Sequence, residues 1–325
     1  MKAVVYHNYG SPDVLRYEEI EKPAPGDDDV LVAVRAASVN PYDSHLIRAE
    51  PFLLRIAFGL RKPKHPRLGV DFSGRVEAVG SNITRFKPGD EVFGAARGAF
   101  GEYLCAQDSR LALKPRSVTF AQAASVPIAG VTALQGLRDR GKVQPGQKVL
   151  VNGAAGGVGT FAVQIVKAFG AHVVGVCSTR NLDLVRSIGA DEVIDYTQED
   201  FTKARSLYDV IFDCVSNHSL SACNRILKSD GRYVGIGGVG QPMMRIVNRI
   251  LSGVVMSPFV KKNLRPFGAK MKSEDLAVIA GMMESGKVTP VIEKEYAFTQ
   301  VADAIRHVET GHTRGKIVIT VSDES

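Results

Sequence analysis

The residues most suited to chemistry lie in the run Val149-Leu150-Val151-Asn152-Gly153-Ala154-Ala155-Gly156-Gly157-Val158-Gly159. An apolar strand-like stretch precedes the glycines, and a helix-like stretch follows them. Gly153, Gly156 and Gly159 stand at a constant spacing. A pyrophosphate-binding turn requires that arrangement. The first glycine permits a tight turn, the second lets backbone approach the phosphates, and the third lets the helix pack closely on the sheet. The helix then offers unpaired N–H groups and the positive end of its dipole to an anion. Gly153, Ala154, Ala155, Gly156, Gly157, Val158 and Gly159 are therefore the expected dinucleotide loop.

An NAD site usually places a carboxylate about 20 residues further on, at the end of the next strand, to bind the ribose hydroxyls. Here that strand runs Val174-Gly175-Val176-Cys177 into Ser178-Thr179-Arg180. Two hydroxyls and a guanidinium suit a 2′-phosphate, so NADPH is the expected cofactor. Ser178 also suits the cap of a following helix, and the two roles are compatible.

These residues need a scaffold. Strand and helix patterns alternate from Thr119 onward. Thr119 followed by Gln122 reads as a capped helix start. Strands are expected at 148–151, 172–176, 193–195, 209–215 and 233–236, and helices at 157–169, 182–188, 220–227 and 274–285, with a closing strand at 316–321. Such alternation implies a parallel sheet with helices on both faces. Before Thr119 the chain reads as short strands and turns, with apolar runs at 30–36 and 70–79 and a Pro88-Gly89-Asp90 turn before Glu91-Val92-Phe93. A chain of 325 residues suits two cores rather than one. Four cysteines lack metal-site spacing and read as buried, reduced thiols.

Several segments, in order along nearly the whole chain, resemble the medium-chain dehydrogenase/reductase superfamily, and within it the zinc-free, quinone oxidoreductase-like branch. They are Met1-Lys2-Ala3-Val4, Ser38-Val39-Asn40-Pro41-Tyr42-Asp43, Gly69-Val70-Asp71-Phe72-Ser73-Gly74, Pro88-Gly89-Asp90-Glu91-Val92-Phe93, Gly130-Val131-Thr132-Ala133 (read as a turn), the glycine loop, and Gly315-Lys316-Ile317-Val318. The resemblance implies an α/β protein with a GroES-like β-rich catalytic domain plus a Rossmann, doubly wound parallel-sheet nucleotide domain. The expected boundaries are 1–120, 121–268 and a return over 269–325.

Zinc-dependent relatives carry cysteine where Asn40 stands and a histidine–glutamate pair where Val70-Asp71 stands. Valine cannot ligate zinc and an asparagine amide is a poor replacement for a thiolate. The four-cysteine lobe of those relatives has no counterpart within 94–103. No zinc is expected, which argues against a carbonyl polarised by a Lewis acid. The resemblance places Asn40 by the nicotinamide and substrate, Thr132 by the nicotinamide end, and Tyr196 near the adenosine phosphate. Val215, Ser216 and the Gly235-Ile236-Gly237-Gly238 backbone would line the nicotinamide ribose. His45 stands about where some relatives have a tyrosine, and Tyr42 is close by, so these two are the candidate substrate contacts.

The expected reaction is hydride transfer from NADPH to a quinone or an α,β-unsaturated carbonyl, with Asn40 and Thr132 as hydrogen-bond donors. The main alternative is an NADPH-binding sensor or RNA-binding module with little turnover. The net charge of +7 is spread along the chain, so no nucleic-acid partner is expected. The stretches 51–58 and 245–251 are basic and apolar. They suit a pocket for a small lipophilic substrate, and membrane contact through them is a secondary reading. No signal sequence or bilayer-spanning run is visible, so a cytoplasmic location is expected. The resemblance also implies a homodimer joined near 263–267, where edge pairing would satisfy open backbone groups.

Overall fold

The computed structural model describes residues 1–50, 54–203, 206–236 and 268–322, without the side chains of residues 54 and 57. The chain divides into two compact units. Met1–Ile128, Met271–Glu284 and Ile292–Ser325 form the first, and Ala129–Lys270 with Ser285–Val291 the second. The expected boundaries were at 120 and 268.

The first unit opens with an antiparallel pair, β1 (Lys2–Tyr6) and β2 (Leu15–Glu19). Then come β3 (Asp29–Val39), α1 (Pro41–Arg48), α2 (Leu54–Phe58), β4 (Asp71–Val79), β5 (Glu91–Ala95), β6 (Tyr103–Gln107), β7 (Leu111–Leu113) and α3 (Phe120–Ala124). Strands are the main regular elements of the described part of residues 1–119, as the short apolar runs indicate, but α1 and α2 interrupt them where turns and loop were expected. Pro41 sits in the first turn of α1, where its missing N–H costs nothing. Thr119 caps α3 by accepting from Gln122 N at 3.1 Å, while Gln122 Oε1 accepts from Thr119 N at 2.9 Å. This is the reciprocal cap read from the sequence.

The second unit begins within α4 (Pro127–Gln135), which continues into a π-helical turn at Gly136–Gly141. Gly130 to Ala133 therefore lie on a helix, not in a turn. Apolar residues without glycine or proline breaks follow Gly130 and favour continued winding. Next come β8 (Lys148–Asn152), α5 (Gly157–Ala168), β9 (His172–Cys177), α6 (Leu182–Ser187), β10 (Glu192–Asp195), β11 (Tyr208–Asp213), α7 (Leu220–Arg225) and β12 (Leu227–Gly235). The sheet is parallel, in the order β10-β9-β8-β11-β12. From β8 the chain winds outward to one edge, then returns to wind toward the other, which is the doubly wound pattern. Nearly every residue of β8, β9 and β11 is buried, as continuous apolar runs in a parallel sheet require. The seventh helix is shorter than expected. It stops at Arg225, and Leu227 already pairs with Tyr208. The Leu220-to-Leu227 apolar run serves two elements, so periodicity alone cannot place the break.

After the second unit, α8 (Ser273–Glu284), β13 (Ile292–Ala297), α9 (Val301–Glu309) and β14 (Lys316–Thr320) complete the first. The larger sheet has the order β13-β14-β3-β4-β5-β7, with β6 also on β3. Strand β14 lies antiparallel on the end of β3, with Ile317 opposite Val39 and Thr320 opposite Ala36. That pairing brings Lys316 beside residues 39 and 40. In the second unit, Gln164 on α5 holds residue 289 through both backbone groups, at 3.0 and 2.8 Å. Gln135 holds Lys270 in the same way, at 2.6 and 3.0 Å.

Cys177 and Cys223 are buried, Cys105 and Cys214 are half-buried, and all four are free thiols. No helix among the described residues is long and apolar enough to cross a membrane. The stretch 242–262, with 245–251 inside it, and the segment 263–267 lie outside the described residues, as do residues 51–53 and Gly237 and Gly238.

Candidate functional site

In the second unit, β8 ends at Asn152 and the chain turns at Gly153, whose φ is +82°. A side chain is strained in that conformation, and a Cβ there would lie 2.7 Å from Val215 Cγ2. At Gly159 a Cβ would come within 2.0 Å of Gly153 O, so only glycine lets the helix close on its own loop. Gly156 differs. A Cβ there meets only Gly153 O, at 3.4 Å, so the space beside it is open. Gly156 is the N-cap of α5 and has no side chain to cover the first-turn N–H groups. An open glycine, uncapped N–H groups and a twelve-residue helix dipole fit a pyrophosphate.

The neighbouring strand ends supply the rest. Asn152 Nδ2 donates to Asp213 Oδ1 at 2.9 Å and to Asn217 Oδ1 at 3.0 Å. Asp213 Oδ1 also accepts from Val215 N at 3.0 Å and Ser216 N at 2.7 Å, and Tyr233 Oη donates to Asp213 Oδ2 at 2.6 Å. The buried Asp213 carboxylate thereby fixes the turn at 214–217, in which Ser216 has φ +63°. That turn packs against Gly153. Gly235 pairs with Asp213, and Ile236 N donates to Asp213 O at 3.1 Å. Hence Val215, Ser216, Gly235 and Ile236 share the C-terminal end of the sheet with the glycine loop. Thr132 is half-buried on α4.

At the end of β9, Ser178 is half-buried and Thr179 and Arg180 are exposed. Strand β10 lies next to β9, and Tyr196 follows it, largely exposed, its N–H on Cys177 O at 3.0 Å. The Ser178 side chain makes no capping bond to the following backbone. The Thr179 hydroxyl donates to Asp195 Oδ2 at 2.6 Å.

The first unit holds a different kind of cluster. Asn40 Oδ1 accepts from Lys316 Nζ at 2.7 Å, and Asn40 Nδ2 donates to Asp71 Oδ2 at 3.0 Å and Ser38 O at 3.4 Å. Asp71 Oδ1 accepts from Ile128 N, at the start of α4, at 3.1 Å. Asp43 Oδ2 accepts from Asn40 N at 2.8 Å, which fastens the start of α1. Lys316 Nζ lies 3.8 Å from Asp71 Oδ2. Asn40, Asp43, Asp71 and Lys316 are all buried, Lys316 at 4% exposure. Burial lifts the Asp43 carboxyl to about 7, helped by the neighbouring Asp71 charge and opposed by the Asn40 N–H bond. It lifts Asp71 to about 6 against the pull of Lys316 and Asn40. Burial lowers the Lys316 ammonium, and both aspartates oppose that.

The geometry engages both ends of the Asn40 amide inside the protein. Tyr42, by contrast, is exposed on α1, its ring edge-on to Phe58. Burial raises its phenol above the ordinary value, with Arg97 opposing, so the hydroxyl keeps its proton near neutrality. His45 lies half-buried one turn further on. Sequence reasoning overlooked Asp43, Asp71, Asp213 and Lys316 as functional supports. The Asn40-to-Asp43 spacing of a helix cap and an acid inside the apolar run of β11 were signals for two of them.

The chain matches two protein families: "Alcohol dehydrogenase GroES-like domain" over residues 26–135 and "Zinc-binding dehydrogenase" over residues 188–319. Among the described residues no group of three or more His, Cys, Asp or Glu side chains is placed to hold a metal. A chloroplastic NADPH-dependent alkenal/one oxidoreductase of Arabidopsis thaliana is 36% identical, over 98% of this chain and 79% of that protein. A chloroplastic quinone-oxidoreductase of Triphysaria versicolor is 33% identical, over 98% of each chain. The solved quinone oxidoreductase of Coxiella burnetii superimposes with a TM-score of 0.86 at 29% identity, over 99% of each chain. The chain belongs to the medium-chain dehydrogenase/reductase superfamily, in its quinone oxidoreductase-like branch, and its two units are the GroES-like and Rossmann domains of that fold. It is an oxidoreductase.

Proposed function

We propose that the protein is an NADPH-dependent reductase of quinones or α,β-unsaturated carbonyls that works without zinc. The carrying observation is the glycine loop at the start of α5, next to a β9 end that bears hydroxyls and a guanidinium where NAD sites hold a carboxylate. The relatives with NADPH-dependent alkenal reduction and quinone oxidoreduction in their names support the same reading.

When bound, the reduced nicotinamide supplies a hydride to the acceptor, and solvent supplies the proton. The backbone at 153–159 binds the pyrophosphate. Ser178 and Arg180 hold the 2′-phosphate, with Tyr196 beside the adenosine. Val215, Ser216, Gly235 and Ile236 line the nicotinamide ribose. Thr132 carries a hydroxyl able to donate to oxygen as negative charge develops there, and Tyr42 is a candidate substrate contact. Asn40 serves through the cluster that fixes the start of α1, because its amide is already engaged. His45 contributes to the acceptor pocket.

An acceptor panel with purified protein tests this. NADPH oxidation with enones or quinones, unaffected by chelators, is the expected result. Zinc-dependent alcohol oxidation without enone or quinone reduction overturns it. Tight NADPH binding with no turnover across the panel favours the sensor reading instead.

A further inference from the structure

We propose that Asn181 is a positioning residue for nucleotide choice, holding the Ser178 hydroxyl as an outward donor to the 2′-phosphate while Asp195 withdraws Thr179 from that task. The inference rests on the NADPH reading above and deepens it.

Asn181 is buried at 8% exposure, directly after the exposed Thr179-Arg180 pair. Its N–H donates to Ser178 O at 2.8 Å and closes a tight turn. Its side-chain Nδ2 donates to Ser178 Oγ at 3.1 Å. A hydroxyl has one hydrogen and two lone pairs. Once Oγ accepts from the amide, its hydrogen is directed elsewhere. It is not used on the helix, because Ser178 makes no side-chain capping bond. The half-buried hydroxyl is then an oriented donor at the rim of β9. An oriented donor loses less freedom on binding than a rotating one.

Thr179 has the opposite arrangement. Its hydrogen goes to Asp195 Oδ2 at 2.6 Å. Asp195 Oδ1 meanwhile accepts from Thr197 N at 3.0 Å and Thr197 Oγ1 at 2.8 Å. These bonds, the one from Thr179 foremost, hold the Asp195 carboxyl below the ordinary range, so it remains an acceptor at neutral pH. The two adjacent hydroxyls are therefore inequivalent. An amide occupies an acceptor site of Ser178 Oγ and leaves its hydrogen to donate elsewhere, whereas a carboxylate takes the hydrogen of Thr179.

The test is the ratio of NADPH to NADH affinity, measured by fluorescence titration of the full chain. NADH lacks the 2′-phosphate and reports general damage. Asn181→Ala should lower the ratio about 3- to 10-fold, the range for one neutral hydrogen bond, with NADH binding unchanged. Ser178→Ala should lower it at least as far, and the double variant no further than Ser178→Ala alone. Thr179→Val should leave it within about twofold. Should Asn181→Ala fail to fold, near-isosteric Asn181→Asp replaces the donor with acceptors, and its effect is taken as the difference with and without Ser178→Ala. Three results overturn the proposal: Asn181→Ala without effect while Ser178→Ala lowers the ratio, equal losses for both nucleotides, or Thr179→Val matching Ser178→Ala. A wild-type preference for NADH, or a ratio unmoved by both Ser178→Ala and Arg180→Ala, instead refutes the underlying NADPH reading.

Discussion

The two units organise polar chemistry in opposite ways. In the second, the glycine loop is built from backbone, and its working groups are N–H donors left over by helix geometry. In the first, Asn40, Asp43, Asp71 and Lys316 form a buried cluster in which the Asn40 amide joins Lys316 to Asp71 and Asp43 accepts from the Asn40 backbone N–H. The first arrangement leaves capacity for a ligand. The second consumes capacity to fix a shape. A backbone site fails when a Cβ intrudes, whereas a side-chain cluster fails when one charge loses its partner.

The sharpest way to break this comparison is to add one carbon to the loop. Gly159→Ala sets a Cβ 2.0 Å from a backbone oxygen that cannot move aside cheaply. We expect both NADPH and NADH to bind at least about 100-fold more weakly, as backbone spacing at the pyrophosphate is lost, with a lower Tm. Gly156→Ala separates binding from folding. Its Cβ meets only a 3.4 Å contact, so Tm should hold while affinity falls. Unchanged affinity for Gly156→Ala would place the phosphates elsewhere.

Removing a charge probes the other cluster. Lys316→Met leaves Asp71 buried without its cation, which costs about 3–5 kcal/mol for broken buried pairs. Urea denaturation should show that loss, and adding Asp71→Asn should recover part of it. A loss below about 1 kcal/mol, as for an exposed pair, would show that the cluster admits water and is not the closed device described.

The same contrast explains what was legible in the sequence. The loop lies within eleven consecutive residues, and its spacing states its geometry. That β8 to β12 form a parallel sheet follows from strand-helix alternation, since a parallel crossover usually takes a helix. The Asn40–Lys316 bond joins residues 276 positions apart. It exists only because β14 pairs with the end of β3. No local pattern encodes that register, so Lys316 was visible as part of a resembling segment but not as a partner of Asn40. The helices α1 and α4 were missed for a related reason. Each begins with a proline, which reads locally as a turn, although proline in the first turn equally begins a helix.

Between the two extremes lies Arg180. It is a side chain, but exposed and beside a backbone-built site. Arg180→Ala should weaken NADPH binding by about 1.5–3 kcal/mol, the value of a hydrogen bond to a charged group, and leave NADH nearly unchanged. Equal losses for both nucleotides would remove Arg180 from the 2′-phosphate site.

The most gradual effect is a pH dependence contributed by the buried cluster. Unfolded, the Asp43 and Asp71 carboxyls titrate near pH 4. Folded, they titrate at about 7 and about 6. Between those limits the native chain retains protons that the unfolded chain has released. Stability contributed by these groups is therefore full at low pH and falls as pH rises toward 7. One proton retained sets a slope of about 1.4 kcal/mol per pH unit at most. Exposed carboxylates held low by ion pairs, such as Asp191 and Glu192, act with the opposite sign and only at more acidic pH. From pH 5 to 7.5 those carboxylates stay ionised and the seven histidines are common to wild type and variant, so the difference between the two proteins reports the cluster. Asp43→Asn keeps an oxygen able to accept from Asn40 N and cannot ionise. Its urea midpoint should decline less than that of the wild type across this window, so that the two curves diverge toward pH 7.5. Parallel curves would mean that Asp43 is ionised throughout, and that the cluster holds two carboxylates against one ammonium.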